Sequence, residues 1–115
     1  MSLPETMTYI RIDGFGGPEV LKPDTMPVPQ PGERQVLVKV AAAGVNRPDV
    51  VQRLGGYKPP PGESDVPGLE IAGEIVAVGP GCTRYKVGDQ VCALVASGGY
   101  AEYCIAPEPQ VLPVP

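Results

Sequence analysis

Short runs of alternating apolar and polar residues, broken again and again by glycine and proline, run the length of the chain. The clearest run is Gln35-Val36-Leu37-Val38-Lys39-Val40-Ala41-Ala42-Ala43. Val36, Val38 and Val40 repeat at period two on one face, with Leu37 and Lys39 on the other, which predicts a strand. Met7 to Ile12 alternates β-branched and aromatic residues and predicts a second strand. Val20 to Met26 predicts a short one that Pro23 confines to an edge or a bulge, because proline has no N–H for the ladder. Further strands are expected over Ile71 to Val78, Gln90 to Val95 and Tyr100 to Ala106, with a short extended tail from Val111 to Pro115. Between them stand turn signals: Asp13-Gly14-Phe15-Gly16-Gly17-Pro18, Gly79-Pro80-Gly81, Val87-Gly88-Asp89 and Ser97-Gly98-Gly99.

One segment changes period. Asn46 to Leu54 predicts a helix of three turns, with Asn46 as N-cap and Pro48 in the first turn, where its missing N–H costs little. Asp49, at the third helical position, suits the positive end of the helix dipole. Val50, Val51 and Leu54 supply an apolar side, and Gly55-Gly56 a stop. Tyr57 to Gly68 follows as a long proline-rich loop, and loops of that length inside a compact domain are often functional. Six or seven short strands with one short helix predict a mainly-β domain, a small barrel- or sandwich-like body with closed or covered edges.

Composition sharpens this picture by exclusion. At 115 residues the chain has room for one domain. Its 15 Gly and 16 Pro approach the low-complexity range, but 43% hydrophobic residues and a net charge of −4 belong to a folded chain. The absence of histidine excludes a Ser-His-Asp triad, a Cys-His dyad and an HExxH zinc site. Nine basic against 13 acidic residues, without a block of like charge, argue against nucleic acid or an anionic membrane as partner. Cys82, Cys92 and Cys104 match no metal-binding spacing and read as buried or half-buried free thiols. With no membrane-length apolar run and no secretory signal, a cytoplasmic location is the expectation. Residues 1–6 are set aside as a leader or tag, with residues 7–115 as the domain.

The residues that could carry chemistry cluster between Gly44 and Glu70. Asn46 serves a helix as N-cap, and its amide can also meet a ligand, provided the ligand uses the hydrogens and the helix the oxygen. Arg47 is either an anion contact or a solvated cation. Tyr57, just after two glycines, either packs or lines a pocket with a flat ring suited to stacking. Glu70 precedes an apolar strand, where a carboxylate needs a partner. Gly73-Glu74-Ile75-Val76-Ala77-Val78-Gly79 opens no helix and is not a phosphate loop.

In order along the chain, these motifs form a familiar series. The stretch Val38 to Asp49, then Pro67-Gly68-Leu69-Glu70-Ile71-Ala72-Gly73, Val76-Ala77-Val78-Gly79 and Val87-Gly88-Asp89-Gln90-Val91 resemble the N-terminal signature of the medium-chain dehydrogenase/reductase superfamily. Within it the chain is similar to the NAD(P)H quinone oxidoreductases, and Asn46 to Gly62 resembles their p53-inducible group. Where zinc-containing members carry a ligand cysteine after Gly-Val, this chain has Asn46. Where they carry the histidine of Gly-His-Glu it has Leu69, and the four-cysteine structural zinc lobe, due near Val95 to Gly98, is absent.

The resemblance implies a GroES-like, partly open β-barrel with one short helix, the N-terminal domain of an α/β two-domain enzyme. A Rossmann domain after it would hold most of the NADPH. It implies zinc-independent hydride transfer from NADPH to a quinone or similar conjugated carbonyl. Asn46 and Tyr57 would be the catalytic positions facing the nicotinamide and the quinone, and Asn46 and Arg47 would contact the cofactor. A homodimeric parent enzyme is implied, with little activity in this segment alone. Two alternatives stand beside this: an enoyl or 2-alkenal reductase using the same cleft, and a stand-alone binding or chaperonin-like module.

Overall fold

The computed structural model describes residues 3–55 and 66–114. Among these residues, seven strands and one α-helix follow in chain order: β1 (Thr6–Ile12), β2 (Leu21–Pro27), β3 (Gln35–Ala43), α1 (Arg47–Arg53), β4 (Glu70–Val78), β5 (Gln90–Leu94), β6 (Tyr103–Pro107) and β7 (Val111–Pro113). Five strands form one antiparallel sheet in the order β6-β3-β4-β5-β7, curled into a half-barrel. β1 and β2 form a separate antiparallel hairpin, and Pro23 lies in β2, which pairs with β1 alone, as an edge position requires.

The alternation in β3 has an unexpected outcome. Val36 and Val38 point into the half-barrel and pack with Ile71, Ile75, Val91 and Val111. Leu37 points the other way and is equally buried, in a second cluster with Met7 and Tyr103. The hairpin provides that second cover. Ile10 N–H donates to the Tyr100 carbonyl at 2.8 Å, Glu102 N–H donates to the Thr8 carbonyl at 3.0 Å, and Tyr9 bridges to Ala101. β1 begins at Thr6, one residue earlier than the alternation predicts, and the Glu5 carbonyl accepts from Val28 N–H at 3.0 Å.

Two predicted elements are corrected. The last long strand starts at Tyr103 and not at Tyr100, because the N–H groups of Gly98, Gly99 and Tyr100 are taken by the carbonyls of Val66, Gly68 and Pro67. The helix has seven residues, two turns rather than three, and Leu54 is its C-cap. Of its predicted apolar side, Val50 is half-buried and Leu54 is 54% exposed, whereas the polar Asp49 and Gln52 are only 6% and 5% exposed.

Glu108 ties the far end of the sheet. Its buried carboxylate accepts the N–H groups of Thr83, Arg84 and Tyr85 at 3.2, 3.0 and 3.3 Å, and Tyr85 Oη donates to the Val111 carbonyl at 2.9 Å. Burial alone would raise the Glu108 pKa, but the N–H groups of Arg84, Thr83 and Tyr85 and the Cys82 thiol outweigh it and the net shift is downward.

Two outcomes are expected from this architecture. Leu37→Ala empties a site closed between the sheet and the hairpin and should lower stability by about 2–5 kcal/mol in urea unfolding. A carboxylate with a lowered folded pKa contributes stability above its unfolded pKa and loses it as pH falls through the folded value. Glu108→Gln should therefore lower Tm by a few degrees at neutral pH and flatten the decline of Tm on acidification, measured by thermal melts from pH 7 to pH 3.

Candidate functional site

The site is built around the start of α1. Asn46 is extended at φ −129°, ψ 160° and caps the helix in a capping box with Asp49. Asp49 N–H donates to the Asn46 carbonyl at 3.0 Å, and Asn46 N–H donates back to Asp49 Oδ2 at 3.0 Å. The other end of the helix is held by the first turn: Gly16 N–H donates to the Arg53 carbonyl at 3.0 Å, and Arg53 Nε donates to the Gly16 carbonyl at 3.1 Å.

Asp49 is more than a charge at a helix end. Tyr100 Oη donates to the same Oδ2 at 2.5 Å and lies 3.5 Å from the Gly44 carbonyl, while Asp49 Oδ1 is buried with no hydrogen-bond partner. Burial, followed by the hydrogen bond to the Asp49 carboxylate and its charge, pushes the Tyr100 phenol well above its usual range. Tyr100 can reach Asp49 because its backbone is laced to the segment before β4. Gly98, Gly99 and Tyr100 donate to the carbonyls of Val66, Gly68 and Pro67 at 2.7, 3.0 and 2.9 Å. This lacing requires Gly68: its φ is +106°, and a Cβ there would lie 2.6 Å from the Tyr100 nitrogen.

Glu70 opens β4 beside this network. Its carboxylate rests over Gly44, where a Cβ would come within 2.7 Å of Oε2, and Asn46 Nδ2 approaches Oε1 at 3.5 Å. The strand makes Glu70 look buried, yet it is exposed and aligned with the exposed Leu94. A groove of about 400 Å³ runs from Gly44 and Glu70 past Ile71 and Cys92 to Leu94 and Leu112. A cavity of about 310 Å³ under the hairpin, lined by Met7, Met26, Ser97, Tyr103 and Ile105, has none of Asn46, Arg47 or Glu70 in its lining.

Of the predicted residues, the fold brings Asn46 and Glu70 together, and Arg47 lies exposed beside them at the first helical position. Tyr57 lies outside the described residues. The sequence reading missed Tyr100 and saw only a helix-end charge in Asp49. The signal for Tyr100 was a tyrosine following two glycines, as Tyr57 does, but its partner lies 51 residues away. Among the described residues, no three His, Cys, Asp or Glu side chains converge as a metal site would need. Cys104 is buried and its thiol is pushed up to about 12, so it is protonated and no nucleophile at neutral pH.

A curled antiparallel half-barrel, with a capped two-turn helix between its third and fourth strands, defines a GroES-like domain. Residues 32–115 match the model of the alcohol dehydrogenase GroES-like domain, and the chain belongs to that family. It is 47% identical over 111 residues to a quinone oxidoreductase of Lama guanicoe, covering 95% of this chain and 34% of that protein. The quinone oxidoreductase of Pseudomonas syringae superposes with a TM-score of 0.85 at 35% identity, over 95% of this chain and 34% of the other. A mycobacterial protein complexed with NADPH superposes with a TM-score of 0.81 at 41% identity, over 95% and 32%. The chain thus spans about a third of the length of these relatives.

The Tyr100 phenol gives a prediction with a definite sign. A phenol whose folded pKa is raised stabilises the fold fully below its unfolded pKa of about 10 and loses that contribution as pH climbs toward the folded value. In an alkaline titration of phenolate absorbance, the most alkaline of the five tyrosines should ionise only as the fold melts. Tyr100→Phe should remove that last step and lower stability at neutral pH by about 1–3 kcal/mol, because the buried Asp49 carboxylate loses a donor.

Proposed function

We propose that this chain is the substrate-side domain of a zinc-independent oxidoreductase that transfers hydride from NADPH to a quinone. The observation that carries the reading is Asn46. Zinc needs three or four nitrogen, sulfur or oxygen ligands at bonding distance, and Asn46 and Leu69 stand where zinc-containing relatives carry a thiolate and an imidazole. Asn46 is half-buried beside Glu70, which lines the groove, and the approach of its Nδ2 to Glu70 is long, so an amide hydrogen is available to a ligand. Similarity to quinone oxidoreductases, and to a structure holding NADPH, supports the same reading.

The residues present fit one edge of a bound dinucleotide. Asn46 Nδ2 donates to a carbonyl or carboxamide oxygen and so orients the ring. Arg47, exposed one residue further on, offers a cation to the phosphates. The resemblance gives Tyr57 to the acceptor side. Reduced nicotinamide supplies the hydride. This chain's part is to fix the approach of the two rings and to exclude water from the groove. In this proposal most of the dinucleotide is held by a Rossmann domain that follows, the parent enzyme is a homodimer, and it works in the cytoplasm.

NADPH oxidation in the presence of 1,4-benzoquinone tests this directly. A protein of the relatives' length that contains this chain should turn over, whereas the 115-residue chain alone should be nearly inactive. Equal rates from the two would overturn the division of labour, and a preference for 2-alkenals over quinones would overturn the substrate class. Asn46→Ala should lower kcat/KM by about tenfold, the worth of one oriented hydrogen bond, without added zinc changing the rate.

A further inference from the structure

We propose that Tyr100 is a positioning residue that sets the separation and orientation of Asn46 and Glu70, a polar pair of which Glu70 lines the groove. The inference rests on the reading of that groove given under Proposed function. Tyr100 is attached on three sides. Its hydroxyl holds Asp49 Oδ2 at 2.5 Å, its N–H holds the Pro67 carbonyl at 2.9 Å, and its carbonyl accepts from Ile10 N–H at 2.8 Å. The first attachment reaches Asn46, because the same Oδ2 accepts the Asn46 N–H at 3.0 Å. The second reaches Glu70, because Pro67 lies three residues before it and the Gly99 N–H to Gly68 carbonyl bond at 3.0 Å extends the same lacing. The third ties both to the hairpin.

Asp49 makes this strut sensitive. Its side chain is 6% exposed, and Oδ1 has no hydrogen-bond partner, so Oδ2 alone receives both donors. Without the Tyr100 hydroxyl, a buried carboxylate retains the Asn46 N–H as its donor on that oxygen, and the balance shifts toward reorientation into water. Reorientation breaks the capping box and frees the Asn46 amide to rotate away from Glu70. The aromatic ring of Tyr100 does not need to touch a substrate for this, so its effect falls on geometry and not on binding.

The test has a structural arm and a kinetic arm. By NMR on the 115-residue chain, Tyr100→Phe should speed hydrogen exchange at the Asn46 N–H and move its side-chain amide resonances, while the backbone chemical shifts of Val36, Val38 and Ile75 stay as in wild type. Unchanged Asn46 signals, or chemical shifts moved throughout the core, would overturn the proposal. In the full-length enzyme, Tyr100→Phe should lower kcat about 10- to 100-fold with KM for NADPH within about threefold, as expected of a misoriented contact. Asp49→Ala should fall as far, and the double variant no further, because both remove one strut. Asp49→Asn retains an oxygen that can accept both donors and should recover most of kcat. Additive losses, or full activity in Tyr100→Phe, would overturn the proposal. A wild-type enzyme with no quinone reduction would overturn the quinone reading alone, and the NMR arm would still decide the strut.

Discussion

Burial of three consecutive residues, Val36, Leu37 and Val38, is the constraint from which the rest of this structure follows. A strand sends neighbouring side chains to opposite faces, so a run of apolar residues in mid-strand needs cover on both. The curl of the sheet covers Val36 and Val38, and the hairpin covers Leu37. To lie over Leu37 the hairpin must dock along residues 100–102, which fixes the backbone of Tyr100. Tyr100 then meets Asp49, and Asp49 meets the cap of the helix. A packing requirement in the middle of β3 thereby reaches Asn46 and, through it, Glu70 in the lining of the groove.

The helix shows how a polar requirement overrides an apolar pattern. Two turns of helix have little stability of their own and depend on caps and tertiary contacts. Here the contacts are polar: Asp49 and Gln52 are buried, and Leu54 and Val45 are left exposed. Leu94 and Leu112, which line the groove, are likewise exposed. Stability within the domain comes from elsewhere, from the half-barrel core and from the Glu108 clasp at its far end.

Legibility in the sequence followed the range of the interaction. β3 was legible to the residue, and the edge character of β2 followed from a single proline. The Asn46 cap was legible because Asn, Pro and Asp at those spacings act within one turn. The start of β6 was misread because Gly98, Gly99 and Tyr100 spend their N–H groups on residues 66–68, and nothing local in Tyr100-Ala101-Glu102 reveals that. Glu70 beside Asn46 was legible only as two members of one cluster, since the space over Gly44 that admits its carboxylate appears only once β3 and β4 are paired.

What the sequence by itself determined was the class of body and its punctuation: a small mainly-β domain, its turns, its one helix, and the absence of histidine chemistry. These rest on period, backbone preference and residue type, all of which act over a few neighbours. What only the tertiary structure decided was which polar groups meet. Tyr100 and Asp49 are 51 residues apart, and Asn46 and Glu70 are 24 apart. Such pairs form because buried donors and acceptors must find partners wherever the fold brings them, and that search is settled only when the sheet has curled and the hairpin has closed over it.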